Sequence, residues 1–212
     1  MSLTKYCFGI ALAVMCSTAH ATTFTFNTDP FAGTNVLNTP GRQIVAGENF
    51  ISFSTATDVF SLDPTVFGTG GTVNFVNALA SAIPTSGVNV VVLESFDDDN
   101  NPATPFGAGQ AANLIADRIT TPGAGFFIYF NQALDLPRLV YSTDLSDPNA
   151  DLKILARMLN LNGANGRNEL STFSASNFSM TSGVPEPSSL TMMAFGLVGI
   201  GSYFLRRNQS RK

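Results

Sequence analysis

Two apolar runs decide the fold of this chain: Val-Asn-Val-Val-Val-Leu at residues 88–93 and Phe-Phe-Ile-Tyr-Phe at residues 126–130. Both are short and rich in β-branched or aromatic residues, which predicts buried strands that are covered on both faces. A shorter apolar run at 139–141 follows the second one too closely for a crossover helix. We therefore expect these last two strands to be antiparallel neighbours in a sheet.

Apolar residues at helical spacing predict three helices around these strands. The first covers 73–83 and the second 109–120, and each ends close to a proline. The third is expected to begin at Asp147 and Pro148, which suit an N-cap and a first helical position. Its predicted buried face consists of Leu152, Leu155, Ala156 and Leu159.

The first half of the chain is rich in Gly, Pro, Asn and Thr and predicts short strands joined by turns. Residues 22–27 alternate polar and apolar side chains, as a half-buried strand does. Runs at 43–46 and 50–54 predict a hairpin, and the segment 166–183 is expected to dock as a last strand. This predicts an α+β or mixed α/β domain with a β-rich N-terminal half and a helix/strand C-terminal half.

The N-terminus has the pattern of a secretory signal peptide at residues 1–21. Lys5 supplies a positive charge, residues 6–15 supply an apolar stretch, and Ala19 and Ala21 are the small residues of a cleavage site. Cleavage after Ala21 would leave Thr22 as the first residue. The sequence therefore predicts export, with signal peptidase as the first processing enzyme.

The C-terminus has three parts, which are Val-Pro-Glu-Pro at 184–187, an uncharged apolar run at 188–205 and a basic tail at 206–212. As a helix the apolar run would rise about 27 Å, enough for the hydrocarbon core of a bilayer. Basic residues after such a helix hold that end in the cytoplasm. The predicted fold therefore ends in a single C-terminal transmembrane helix in the inner membrane.

This tail resembles the PEP-CTERM sorting signal of Gram-negative bacteria that secrete exopolysaccharide. The matching residues are Pro185, Glu186 and Pro187, the run 188–205, and the basic cluster that begins with Arg206 and Arg207. The resemblance implies that an exosortase, an integral-membrane transpeptidase, recognises the tail and cleaves near the triplet. The alternative is an unprocessed single-pass anchor.

The remaining globular domain, residues 22–183, is acidic and lacks several reactive side chains. It contains six basic and fourteen acidic residues, a net charge of −8, which disfavours binding to nucleic acid. Both cysteines and the only histidine of the chain lie in the predicted signal peptide. A His-dependent serine triad, a cysteine nucleophile and a typical zinc site are therefore excluded from the mature domain.

One acidic stretch of the domain has part of a calcium-binding pattern. Asp97, Asp99 and Asn101 have the alternating spacing of oxygen ligands in a calcium loop. Pro102 stands where such a loop has glycine, and Ala108 stands where it has a bidentate glutamate. Calcium is therefore the one cofactor considered, and the alternative is a solvated loop of Asx turns.

Paired carboxylates are the remaining catalytic possibility, since glycoside hydrolysis needs no histidine. Glu94 follows the first buried run and is paired in this hypothesis with Asp97 or Asp99, while Glu48 and Glu169 are the other glutamates. Nothing in the sequence places two carboxylates at the separation that the mechanism requires. We therefore expect no enzymatic activity.

Taken together, these features predict an exported envelope or extracellular-matrix protein that is sorted through its tail. Its expected partners are signal peptidase, exosortase, the inner membrane before processing, and extracellular polysaccharide. Two alternatives remain, a calcium-dependent adhesin or glycan-binding module and, less favoured, a carboxylate-based polysaccharide hydrolase or lyase.

Overall fold

The structure is a computed structural model that describes residues 21–97 and 99–182. Its strands are β1 Thr23–Phe26, β2 Ile44–Val45, β3 Asn49–Ile51, β4 Val59–Leu62, β5 Phe75–Ala78, β6 Val90–Leu93, β7 Gly125–Asn131, β8 Leu136–Ser142, β9 Leu152–Met158 and β10 Phe178–Met180. Its α-helices are α1 Pro64–Phe67, α2 Ala108–Ala116 and α3 Gly163–Glu169. Short 3₁₀ turns cover Val36–Asn38, Ala80–Ala82, Leu170–Thr172 and Ala175–Asn177.

The strands form two sheets. The larger has the order β2-β9-β8-β7-β6-β5, and β3 pairs with β9 on the same edge as β2. Within it β7, β8 and β9 are antiparallel neighbours, and the other pairs are parallel. The smaller sheet has β4 at its centre with β1 and β10 on either side, all parallel. Both ends of the domain are therefore tied to β4.

The larger sheet is buried on both faces, and each face has its own core. One face packs with the small sheet through Val90, Phe126 and Tyr141, which belong to the same cluster as Phe60 and Phe178. The opposite face packs against α2 and the residues around it, a cluster that includes Val91, Phe127, Val140, Ile154, Ala111 and Ile115. The domain is therefore a three-layer arrangement of small sheet, large sheet and helix.

The strands that decided the sequence interpretation are present. All four residues of β6 and all seven of β7 are buried, and β7 pairs antiparallel with β8. The strand expected at 22–27, the helix expected at 109–120 and the last strand expected in 166–183 correspond to β1, α2 and β10. The domain is sheet-rich with few helices, which agrees with the coarser α+β prediction.

The helix predicted at 73–83 was wrong, because this segment forms β5 and the 3₁₀ turn Ala80–Ala82. Phe75 and Val76 point to opposite faces of the large sheet, as neighbours in a strand do, and each joins a different core. The side-chain amide of Asn77 donates to the carbonyls of Leu170 and Phe173, at 2.8 and 3.1 Å. Parallel pairing with β6 therefore overrides the apolar spacing.

The helix predicted from Asp147 was also wrong, because Leu152–Met158 is the strand β9. A β-bulge lies opposite the Leu139/Val140 step, where Val140 pairs with Ile154 and Leu139 with Ala156. The extra residue, Leu155, shifts the inward positions by one, so apolar side chains occur without strict alternation. The resulting spacing imitates a helix although the strand is buried on both faces.

The predicted hairpin between 43–46 and 50–54 was wrong in its pairing. β2 and β3 exist, but each runs parallel to β9 along the same edge, with β2 opposite Leu152 and β3 opposite Ala156. Gly47 between them has a φ of 108°, which lets the chain continue along the edge instead of turning back.

Candidate functional site

A cavity with a volume of about 440 Å³ lies at the start of β4. Both polar and apolar residues line it, and they are Ser52, Phe53, Ser54, Thr55, Ala56, Asp58, Asn160, Leu161 and Glu169. The chain between β3 and β4 supplies most of them, and the segment after β9 and the end of α3 supply the rest. Two carboxylates that are distant in sequence, Asp58 and Glu169, therefore meet at one cavity.

Both carboxylates of this cavity are held by hydrogen bonds. Asp58 is 5% exposed, and its Oδ1 accepts from the backbone N–H of Thr22 at 2.9 Å, while its Oδ2 accepts from the backbone N–H of Ser54 at 2.9 Å. Glu169 Oε2 accepts from the hydroxyls of Thr55 and Thr172, at 3.1 and 2.8 Å. These bonds fix both side chains in position at the cavity wall.

Glu48 lies elsewhere, on the β9 edge of the large sheet, and is neutralised by two arginines. Its Oε1 accepts from Arg138 at 2.7 Å and from Arg157 at 2.5 Å, and its side chain is only 6% exposed. Burial alone would raise the pKa of this carboxyl, but its hydrogen bonds to backbone N–H groups and to Arg157 and the charge of Arg138 lower the pKa to about 2. A carboxylate that stays ionised at such low pH cannot act as a proton donor near neutrality.

An exposed aromatic and basic surface lies next to Glu94. The guanidinium of Arg167 stacks 4.7 Å from the ring centre of Phe96 and 5.7 Å from that of Phe130. Together with Leu79, Glu94, Asn168 and Ser171, Phe96 and Arg167 line a cavity of about 220 Å³. Sequence reasoning missed this surface because it depends on α3, a helix that the pattern did not predict.

The candidate calcium loop is built from Asx turns in the structure. Oδ1 of Asp97 accepts from the backbone N–H of Asn100 at 2.9 Å, and Oδ1 of Asp99 accepts from that of Asn101 at 2.8 Å. The hydroxyl of Thr104 donates to the other oxygen of Asp99 at 2.6 Å, which lowers the pKa of that carboxyl. These bonds are those of the solvated-loop alternative, and the calcium site stays a prediction.

The described residues contain no group of three or more His, Cys, Asp or Glu side chains that is placed to hold a metal ion. Nor do residues 21–97 and 99–182 include a helix with the length and apolar character of a membrane span. Thr22 and Ala21 of the predicted cleavage site are described and exposed. Ala19 and the whole predicted tail, from Pro185 to Arg207 and beyond, lie outside the described residues.

The tail does match a known family model. Residues 183–208 match the model of the PEP-CTERM protein-sorting motif. Comparison with curated proteins gave no match for the chain, and comparison with solved structures gave none either. The match begins three residues after Met180, the last residue of β10, so the motif follows directly on the folded domain.

Proposed function

Because the chain carries a PEP-CTERM sorting motif, we propose that it is an exported envelope or extracellular-matrix protein of an exopolysaccharide-producing Gram-negative bacterium. The motif at 183–208 is the observation that carries the proposal, since it is typical of proteins that are sorted through their tail and processed by an exosortase-type enzyme. In this proposal the chain passes through an inner-membrane-anchored intermediate before it reaches the envelope, cell surface or matrix. The domain itself binds extracellular polysaccharide and catalyses no reaction.

The junction between domain and motif supports processing that leaves the domain intact. β10 pairs with β4, and the backbone N–H of Thr181 donates to the carbonyl of Leu62 at 3.1 Å. Pro185 and Pro187 favour an extended backbone, which suits an enzyme that must reach the chain just outside the bilayer. Cleavage near the triplet would therefore release a domain that keeps its last strand.

Two carboxylates, Glu48 and Asp58, are held in ways that support a domain without catalytic activity. The mature range has no histidine or cysteine, so its acidic side chains are the catalytic groups considered in this proposal. Glu48 is committed to its ion pairs with Arg138 and Arg157, and Asp58 is committed to backbone N–H groups. Polysaccharide binding is proposed instead, supported by the hydroxyl groups of Ser52 and Ser54 at the 440 Å³ cavity.

The sorting proposal is tested by replacing the triplet alone in the full-length chain. Pro185→Ala, Glu186→Ala and Pro187→Ala together leave the apolar run and the basic tail unchanged. We expect this variant to accumulate in the inner membrane with residues 206–212 still attached, as measured by fractionation and intact mass. A matched control, Ser188→Ala with Ser189→Ala, should be processed as the wild type is.

The two variants also separate sorting from simple anchoring. A plain transmembrane anchor does not need the triplet, so equal distribution and equal mass of wild type and triplet variant would contradict the sorting proposal.

The polysaccharide proposal has its own test, which is co-sedimentation of the recovered protein with polymer from its host. Loss of co-sedimentation in a folded Ser52→Ala, Ser54→Ala variant would support binding at the cavity. Absence of any co-sedimentation of the wild type would contradict polysaccharide binding.

A further inference from the structure

The first residue of the predicted mature chain is held by a buried carboxylate. The backbone nitrogen of Thr22 donates to Oδ1 of Asp58 at 2.9 Å, and the carbonyl of Thr22 accepts from the backbone N–H of Val59 at 2.9 Å. Thr22 immediately precedes β1, which pairs with β4 from Thr23 onward. The nitrogen that signal cleavage would free is therefore placed by the fold itself.

The carboxylate of Asp58 is held by several hydrogen bonds, and among the described residues no cationic side chain forms an ion pair with it. Beside Thr22, its carboxylate accepts from the backbone N–H of Ser54 at 2.9 Å and the hydroxyl of Thr57 at 3.1 Å, while Asn177 donates to its backbone carbonyl at 3.0 Å. Between residues 21 and 182, residue 98 aside, the ion pairs join Glu48 to Arg138 and Arg157 and none involves Asp58. Asp58 is 5% exposed, and its negative charge is met by neutral donors alone, so an ammonium brought to the same oxygen would add a counter-charge.

We propose that Asp58 is the binding site for the free α-ammonium group of Thr22 in the mature protein. The proposal rests on the predicted cleavage between Ala21 and Thr22 and is independent of how the C-terminal tail is processed. Hydrolysis breaks the bond between the Ala21 carbonyl carbon and the Thr22 nitrogen, and water supplies OH to the carbon and H to the nitrogen. The new acid then transfers its proton to the amine, which gives a carboxylate on the released peptide and an ammonium on Thr22.

Cleavage therefore converts a hydrogen bond between a neutral amide and a carboxylate into an ion pair between an ammonium and that carboxylate, at the same two atoms. An ammonium donates more protons than the amide and pairs directly with the negative charge, so the contact is stronger after cleavage. Since Asp58 also connects to Ser54 and Asn177, the new pair tightens the start of β4 against the segment before β10. This part of the fold is therefore more stable in the exported, cleaved chain than in the precursor.

The test measures how fast an amine-acylating reagent labels Thr22 at neutral pH in the signal-cleaved protein recovered after export. A synthetic peptide with the sequence of residues 22–27 in the same tube serves as the unfolded reference. Ion pairing keeps the amine protonated and unreactive, so we expect Thr22 of the folded protein to be labelled at least about threefold more slowly than the peptide. Peptide mapping by mass spectrometry reads both rates and identifies the first residue.

Two variants distinguish ion pairing from simple burial. Asp58→Asn keeps an acceptor oxygen but removes the charge, so the labelling rate should rise to that of the peptide. Asp117→Asn removes the same charge from an exposed position after α2 and should leave the protection unchanged. If Asp58→Asn does not fold, the pH dependence of labelling decides instead, because an ion pair shifts the onset of Thr22 labelling to a higher pH than in the peptide, whereas burial alone shifts it to a lower pH.

Three results would overturn the proposal. They are equal labelling of folded protein and peptide, full protection in a folded Asp58→Asn variant, and a recovered chain whose first residue is not Thr22. A chain that begins at Thr22 and shows protection but retains 206–212 would contradict tail processing while supporting this site. Failure of the sorting proposal and failure of the ammonium site are therefore distinguishable.

Discussion

At the scale of single residues, Glu48 supplies the negative charge that neutralises Arg138 and Arg157 beside β9. Replacing it with Gln leaves Arg138 and Arg157 without a counter-charge. The cost at Arg138 is added to that of its Nε atom, which is already buried without a hydrogen-bond partner. We expect Glu48→Gln to lower the free energy of unfolding at pH 7 by about 2 kcal/mol, measured by urea denaturation. Glu94→Gln, at a half-buried glutamate with no arginine ion pair, is the control and should change stability little.

The pH dependence of the Glu48 effect has a definite sign. Its pKa is lowered from 4.5 to about 2 in the folded protein, so the ionised form contributes stability above pH 4.5. That contribution is lost as the pH falls from 4.5 through 2, because both folded and unfolded chains then bind the proton. The difference between wild type and Glu48→Gln should shrink over this window; a difference that stays constant down to pH 2 would contradict the ion-pair explanation.

Gly166 is a second residue whose identity is fixed by its surroundings. A Cβ atom at this position would lie within 3 Å of the backbone carbonyl of Leu161, while one at Gly123 would meet open space. Backbone cannot move aside as a flexible side chain does, so Gly166→Ala should cost about 2 kcal/mol or more of folding free energy. Gly123→Ala is the matched control, and equal melting temperatures of the two variants would show that α3 can shift without cost.

At the scale of elements, the loop between β6 and α2 separates two predictions that the sequence left open. If Asp97, Asp99 and Asn101 bind calcium, a concentration a hundredfold above the dissociation constant should stabilise the protein by about 2.7 kcal/mol. The Asp99→Asn variant should lose that shift, and Asp117→Asn should keep it. An unchanged melting temperature in millimolar calcium would contradict the calcium prediction and favour the Asx-turn loop seen in the hydrogen bonds.

Elements could be predicted from the sequence where burial alone decides the pattern. β6 and β7 are short apolar runs covered on both faces, so nothing in their sequence competes with a strand. β9 could not be predicted in this way, because its bulge at Leu155 changes the face of each later residue and depends on pairing with β8. β5 likewise owes its conformation to parallel pairing with β6, which is a tertiary effect.

At the scale of the whole molecule, candidate sites made of contiguous residues could be predicted from the sequence, and those that join distant segments could not. The tail was predictable because triplet, apolar run and basic residues are contiguous, and the family match at 183–208 confirms the motif. The cavity that joins Asp58 to Glu169 was not, because its walls come from segments about a hundred residues apart in the chain. No local sequence pattern predicts the hydrogen bond between Thr22 and Asp58, because that contact requires β1 and β4 to be paired.

The position of β10 leads to a prediction about the whole processed molecule. Removing residues 184–212 takes away the motif but none of the strand, and Phe178 keeps its place 5% exposed beside Phe60, at a ring-centre distance of 5.8 Å. We therefore expect the chain that ends at residue 183 to unfold at the same urea concentration as the full-length protein in detergent. Its distribution in the host should change, because the sorting signal is gone.

Phe178→Ala supplies the contrast for this prediction, since it keeps the tail and weakens the strand. Its ring packs against Phe60, Phe75 and Phe173, and its removal should cost about 3 kcal/mol while sorting of the folded fraction is retained. The stability of the domain would then depend on β10, and its sorting would depend on the triplet at 185–187, although the two lie within one short segment. A tail deletion that lowers stability as much as Phe178→Ala does would mean that the tail packs on the domain, and the sorting signal would no longer be a separable part of the protein.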